Sequence, residues 1–273
     1  MGMSETYKNA TLIIAGHGSS KSPNQGLPAR KHAQSIRDQN IFADVRTVFW
    51  KEETFLKDAL NGVKTDEIVI VPNLACSGYI NQSVIPKEMG LDGPLSIRGH
   101  QRIQITKPVG EYEGLPELMA NRLREVMIER HMEAKDTTIF LVAHGNPDPK
   151  RPASHDSTVM MATKIYQHLP IHAILPAFLE EKPFLEGWEE RTDSKNIIAL
   201  PFMIAAGIHG AHDIPRYLGI SPSEDQTNEM RENGTPAGPF QINDQNIWML
   251  RAMGSHPKIA DAIVEMAIQT LKK

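Results

Sequence analysis

Along the 273-residue chain, short β-branched runs alternate with longer stretches whose apolar residues recur at helical spacing. TLIIA, VRTVF, EIVIV and RIQI punctuate the first half, and TIFLVA, HAILPAF, NIIAL and IWML the second. Between them, the run from Leu115 to Met127 places Leu118, Met119, Leu123, Val126 and Met127 on one face, predicting a helix that packs on a sheet. Strand runs alternating with helical runs indicate a parallel sheet with crossover helices, so the fold class is α/β.

The pattern occurs twice. AGHGSS around His17 recurs as VAHGNP around His144, and VFWKEETFL around Phe49 recurs as AFLEEKPFL around Phe178. VPNLACSGYINQSVIPKEMG from Val71 recurs as LPFMIAAGIHGAHDIPRYLG from Leu200. Matching positions lie 127 residues apart at His17 and His144, and 129 apart from Phe49 and Phe178 through to Pro86 and Pro215. Near-constant spacing over several motifs marks an internal duplication, with expected repeats at 1–132 and 133–273. TKPVGEYEGLPELMANRL then echoes LRAMGSHPKIADAIVEM, with Gly110 opposite Gly254, at a spacing of 144, so the second repeat has gained 15 residues after Pro215. These fall within Ser221–Pro239, whose polar composition predicts a mobile loop bordering the site, either a lid or a plain surface loop.

Composition narrows the function classes. At 40% apolar content the chain can bury the cores of two domains. A net charge of −4 gives no basic footprint, so nucleic acid is not an expected partner and an anionic ligand must meet a local patch. The single cysteine, Cys76, allows no internal disulfide and fits a reducing compartment. No apolar run approaches the roughly 20 residues of a membrane span, and MGMSETYKNA has neither a signal core nor a transit pattern. A cytoplasmic protein without a membrane partner is expected.

In open parallel sheets, ligands bind outside the carboxyl ends of the strands. His144 directly follows TIFLVA, Glu180 and Glu181 follow HAILPAF, and His209 lies in the loop after NIIALPF, where Gly207 and Gly210 let backbone approach a ligand. Two imidazoles and a carboxylate suit a borderline divalent ion such as Co²⁺, Fe²⁺, Ni²⁺ or Zn²⁺. The first repeat is an internal control: it keeps His17, but Ile80 stands opposite His209 and Lys51 opposite Glu180. Ordinary roles stay open beside these. They are His144 as a turn residue, His212 as a solvated side chain, Asp213 as the cap of a helix begun by Pro215, and Glu180 as an acid before a helix starting near Pro183. His155, His168, His172 and His256 show no convergence and read as surface or core residues.

A-H-G at His144, F-L-E at Phe178 to Glu180 followed by Pro183, and P-F-x-x-x-x-G-x-H-x-x-x-D-I-P from Pro201 through His209 to Pro215 together resemble the sirohydrochlorin chelatase family of the CbiX and SirB type, in its long form with two repeats. The resemblance implies two flavodoxin-like α/β domains, each a parallel sheet flanked by helices, facing across a cleft; a chain supplying both halves of that cleft can work as a monomer. It implies a class II chelatase that inserts Co²⁺ or Fe²⁺ into an acidic tetrapyrrole such as sirohydrochlorin without nucleotide, in cobalamin or siroheme biosynthesis. The metal is then a substrate, and no permanently bound cofactor is expected. His144, His209 and Glu180 become metal ligands and catalytic groups, with Glu180 ligating the ion or taking a pyrrole proton. His17, Asn146, Lys150, Arg151 and Arg216 become candidates for binding a polycarboxylate substrate, with Lys182 and Arg251 near the same motifs. Two departures stand out: the full set sits in the second repeat, a placement more like protoporphyrin ferrochelatases and the anaerobic cobaltochelatase, and Asn146 replaces the usual Ser. Two other classes fit the same residues, a non-catalytic metal or tetrapyrrole carrier and a zinc hydrolase using His209, His212 and Asp213.

Overall fold

The computed structural model describes residues 7–20, 25–148, 153–205 and 212–273. All eight expected strand runs form strands: β1 (Tyr7–Gly16), β2 (Phe42–Phe49), β3 (Glu67–Pro72) and β5 (Gln101–Ile105) in the first half, and β6 (Thr137–Ala143), β7 (Ala173–Phe178), β8 (Asn196–Pro201) and β10 (Gln245–Met249) in the second. Two further strands, β4 (Leu95–Arg98) and β9 (Ala237–Ile242), pair antiparallel with β5 and β10. The sheets run β2-β1-β3-β5-β4 and β7-β6-β8-β10-β9, so each is four parallel strands closed by one antiparallel edge strand. Every residue of β6 is buried, because helices cover both faces of a parallel sheet and leave no polar side to alternate with. The edge strands escaped the hydrophobic pattern for the converse reason: Leu95 and Ile97 are exposed, and β9 carries a Gly-Pro pair.

The repeat holds at the level of single bonds. Thr11 and Thr65 hydroxyls lie 2.8 Å apart, as do those of Thr138 and Thr192 at the matching positions. Helices α1 (Leu27–Asp38) and α4 (Ala153–His168) follow the first strand of each half, and α2 (Ile85–Met89) and α5 (Ile214–Leu218) follow the third. The helix expected near Leu115 is α3 (Leu115–Glu129), which opens with Pro116 and buries Leu115, Met119, Leu123, Val126 and Met127. Its counterpart is α7 (Ile259–Leu271). Among the described residues no helix is long and apolar enough to cross a membrane.

Packing divides the chain differently from the sequence repeats. One compact unit is Met1–Tyr112 with Pro257–Lys273, and the other is Glu113–His256. Helix α3 thus belongs by sequence to the first repeat and by packing to the second unit, where it lies against α4; α7 returns to the first unit and packs on α1 and β3. The two crossings, after Tyr112 and after His256, occupy matching repeat positions.

Two expectations are corrected. The Ser221–Pro239 stretch is not a structureless loop, because it forms α6 (Glu224–Glu232) and the start of β9. Its helix begins with a reciprocal cap, in which Gln226 N donates to Ser223 Oγ at 3.1 Å and Ser223 N to Gln226 Oε1 at 3.0 Å. Met230 then anchors the helix in the core beside Ile220 and Ala237. Nor does a helix start near Pro183. Phe178 N donates to the Pro183 carbonyl at 3.0 Å and Leu185 N to the Phe178 carbonyl at 2.8 Å, folding the chain back on the end of β7. A single tight turn at Trp188–Arg191 follows, so Glu180 has no following helix to account for its charge.

Candidate metal centre

Strands β6, β7 and β8 are mutually parallel, so their carboxyl ends share one edge of the second sheet. His144 leaves β6 there and Glu180 lies two residues beyond β7. His144 Nε2 stands 3.5 Å from Glu180 Oε1, with the two side chains 42% and 46% exposed. Backbone fixes the pair, since Glu180 N donates to the His144 carbonyl at 3.0 Å. His144 Nδ1 is 3.2 Å from the Gly145 carbonyl. A carbonyl accepts only, so the tautomer with its proton on Nδ1 satisfies that contact.

Two further residues hold this arrangement. Gly145 has φ of +81°, and a Cβ on it would come within 2.9 Å of Glu181 Cγ, so the glycine of A-H-G serves both conformation and close approach. Glu181 Oε1 accepts from Asn146 N at 3.0 Å, while Oε2 lies 3.4 Å from His155 Nδ1 on α4. The His155 ring stacks on Phe178 at 4.8 Å and 14°. His155 was expected to stand apart from the site, but it anchors the carboxylate next to Glu180. The signal, visible only by comparing the repeats, was a basic residue type in the first turns of both α1 and α4, Arg30 and His155, with an acid after the second strand. Asn146 Oδ1 accepts from Asp148 N at 3.0 Å, an Asx turn that shapes the loop after His144.

The first repeat builds the same frame with different chemistry. Lys51 N donates to the His17 carbonyl at 2.8 Å, matching the Glu180 to His144 bond. Gly18 has φ of +63°. Glu52 accepts from Gly26 N at 3.1 Å and pairs with Arg30 at 2.9 Å, and Arg30 lies 4.7 Å over Phe49 as His155 lies over Phe178. Where Glu180 faces His144, Lys51 instead sets its ammonium 3.8 Å over the Trp50 ring, against which His17 packs edge-on. A cation in place of a carboxylate repels a metal ion. Cys76 supplies no thiolate to replace it, because burial, with Glu111 adding to it, pushes its thiol up to about 11.

A glycine clamps the loop after the third strand in each unit. Gly110 N donates to the Leu74 carbonyl at 2.9 Å and Gly254 N to the Met203 carbonyl at 3.0 Å. A Cβ on either would overlap backbone, that of Ala75 in one unit and Ile204 in the other.

The remaining candidates are dispersed. His209, Gly207, Gly210, Lys150 and Arg151 lie outside the described residues. His212 is exposed, and Asp213 sits at the N-cap position of α5 without capping through its side chain, 3.8 Å from Arg216. Among the described residues no group of three histidine, cysteine or acidic side chains converges on one point, so the described site is the His144 and Glu180 pair.

The CbiX family model matches residues 11–126 and 138–270, one match to each repeat. A Halobacterium salinarum protein described as a probable sirohydrochlorin cobaltochelatase is 26% identical over 273 residues, covering 94% of this chain and 90% of its own. A multi-domain protein of Deinococcus radiodurans with structural similarity to chelatases superposes with a TM-score of 0.73 at 19% identity, over 94% of this chain and 54% of that one. This chain therefore spans about half of that protein's length. SirB from Bacillus subtilis with Fe³⁺ superposes with a TM-score of 0.67 at 16% identity, over 96% of this chain and 95% of its own. These two structures share the fold. With the family matched in both halves, and with the duplicated α/β sheets it requires, this chain belongs to the CbiX family.

Proposed function

We propose that the chain is a chelatase that inserts a divalent ion, Co²⁺ or Fe²⁺, into sirohydrochlorin or a closely related acidic tetrapyrrole without nucleotide. The observation that carries this reading is His144 Nε2 facing Glu180 at an open strand edge, 3.5 Å apart, in the repeat whose counterpart has Lys51. The relatives' descriptions, a cobaltochelatase in one case and a SirB with Fe³⁺ in another, support cobalt and iron as the metals.

The ion is held by the neutral imidazole of His144 and the carboxylate of Glu180, with His209 as the third ligand. Nitrogen and oxygen donors on an exposed site bind such ions reversibly, as an ion that must be given up requires. The macrocycle surrenders two pyrrole N–H protons as it takes the ion. Glu180, freed as its ligand bond breaks, accepts one, and a freed imidazole accepts the other. His17, Asn146, Lys150, Arg151 and Arg216 are the proposed contacts to substrate carboxylates. The metal leaves in the product, so no resident cofactor is needed, and the product's place in cobalamin or siroheme formation follows from which ion is inserted.

The test is absorbance-monitored insertion with catalytic amounts of protein, sirohydrochlorin, and Co²⁺ or Fe²⁺. Many turnovers, lost in His144→Ala, are expected. Stoichiometric uptake without turnover would make the chain a carrier instead.

A further inference from the structure

A cavity of about 10 Å³ lies in the second unit, lined by Met119, Arg122, Leu200, Arg251, Met253 and His256 among others. That is room for about one water-sized polar group. Arg251 leaves the carboxyl end of β10, which is parallel to β8 and one strand further from β6, so it stands on the same sheet edge as His144. Two strands apart is about 10 Å at ordinary strand spacing.

Two guanidinium groups meet here at Gly234. Arg122 donates to the Gly234 carbonyl, and a Cβ on Gly234 would lie 2.9 Å from Arg251 Cζ. Among the described residues the carboxylate paired with Arg122 is that of Glu125, at 3.7 Å and on an exposed side chain. Arg251 Nε is buried and has no hydrogen-bond partner among the described residues. Burial, and then the Arg122 charge, hold the Arg251 guanidinium below its ordinary range. A half-buried like-charge pair with an unmet N–H costs stability unless an anion joins it, and guanidinium groups bind oxyanions through two parallel N–H bonds.

The first unit lacks the arrangement. Lys107, Met266 and Tyr112 occupy the repeat positions of Arg251, Arg122 and His256, and Tyr112 donates its hydroxyl to Glu265 at 2.5 Å. The paired arginines therefore occur in the same unit as the His144 and Glu180 pair.

We infer that Arg122 and Arg251, with His256 beside them, form an oxyanion pocket that takes one oxygen of a tetrapyrrole carboxylate, the rest of the group staying outside it. The pocket rests on the structure alone; the identity of the anion's carrier rests on the function proposed above.

The experiment compares the full-length protein with Arg251→Met, Arg122→Met and the conservative Arg251→Lys, using inorganic sulfate and sirohydrochlorin as probes. Sulfate is expected to raise the melting temperature of the parent protein and not that of Arg251→Met. Without sulfate, Arg251→Met is expected to melt at or above the parent, because the repulsion and the unmet N–H are gone. Sirohydrochlorin binding, read by fluorescence quenching, is expected to weaken about 10-fold in each Met variant and to recover in part in Arg251→Lys. A porphyrin without carboxylates is expected to bind all variants alike. Sulfate stabilisation with unchanged sirohydrochlorin binding would show a pocket for a free oxyanion and overturn the substrate assignment. No sulfate effect, together with a lower melting temperature in Arg251→Met, would make the pair structural and overturn the pocket. If the parent binds no tetrapyrrole, the proposed function fails, while the sulfate measurement still decides the pocket.

Discussion

The two strand edges that carry His17 and His144 share a backbone and differ in a charge. Each has a glycine at positive φ after the histidine, a backbone bond returning from the second loop, and an acid that ties the first loop to a basic side chain on the following helix. Only the residue beside the histidine changes sign, from Lys51 to Glu180. The shared parts are the frame, because both edges need them whatever they bind. In the proposed reading Glu180 is what makes one edge attractive to a cation, and Glu181, although adjacent and equally acidic, is occupied by Asn146 N and His155.

The largest effect is expected from exchanging that residue. Glu180→Lys should lower metal insertion at least about 100-fold while leaving thermal stability near the parent's, because Glu180 is exposed. Lys51→Glu should not create a second active edge, since Ile80 still stands opposite His209, and His17→Ala should cost far less than His144→Ala. If His17→Ala is the more damaging, the active edge has been assigned to the wrong repeat.

A smaller effect should come from the clamping glycines. Gly254→Ala and Gly110→Ala should each lower stability by about 1–3 kcal/mol by forcing backbone apart. Only Gly254→Ala should also reduce turnover per folded molecule, because it displaces the loop leading to His209. Equal losses of turnover would mean that both edges contribute to the reaction.

Cys76, which stands opposite Ala205, gives a pH signature to one unit alone. Its folded-state pKa is raised from 9.0 to about 11, so the thiol's contribution is intact below pH 9 and is lost as pH rises towards 11. By pH 10 the loss is at most about 1.4 kcal/mol. Denaturant titrations at pH 8 and pH 10 should show that drop in the parent and a flatter profile in Cys76→Ala.

The smallest effect concerns the segment that only the second repeat has. Ser223→Ala should cost about 1 kcal/mol, visible as faster amide exchange at the start of α6, with turnover unchanged. A change in turnover would make α6 part of the site.

The legible features were those written in burial. Strands covered on both faces appear as unbroken β-branched runs, which is why eight were found, and the duplication exposed the odd residues at 51 and 180. The edge strands were not legible, because a short strand with an exposed face and a Gly-Pro pair lacks that run. Helix α6 was missed because its overall polarity masked the Ser223 and Gln226 cap and the single anchoring Met230. His155 was missed because its partner is 26 residues away in sequence and nothing local announces it. The exchange of α3 and α7 was invisible for a different reason: an amphipathic face shows that a helix is covered, but not by which sheet.

That exchange sets an order on synthesis. Glu113–His256 is one continuous stretch, so all of the second unit's contacts are available once His256 has left the ribosome. The first unit, although its sheet is made earliest, waits for α7, which follows the whole of the second unit in sequence. At ordinary translation speeds the delay is roughly 10–30 s, during which the α1 and β3 surfaces that receive α7 have no cover. The newborn protein thus passes through a period in which its older sheet is made and the helix that covers it is not, and that is when a chaperone or a premature stop codon would act on it most strongly.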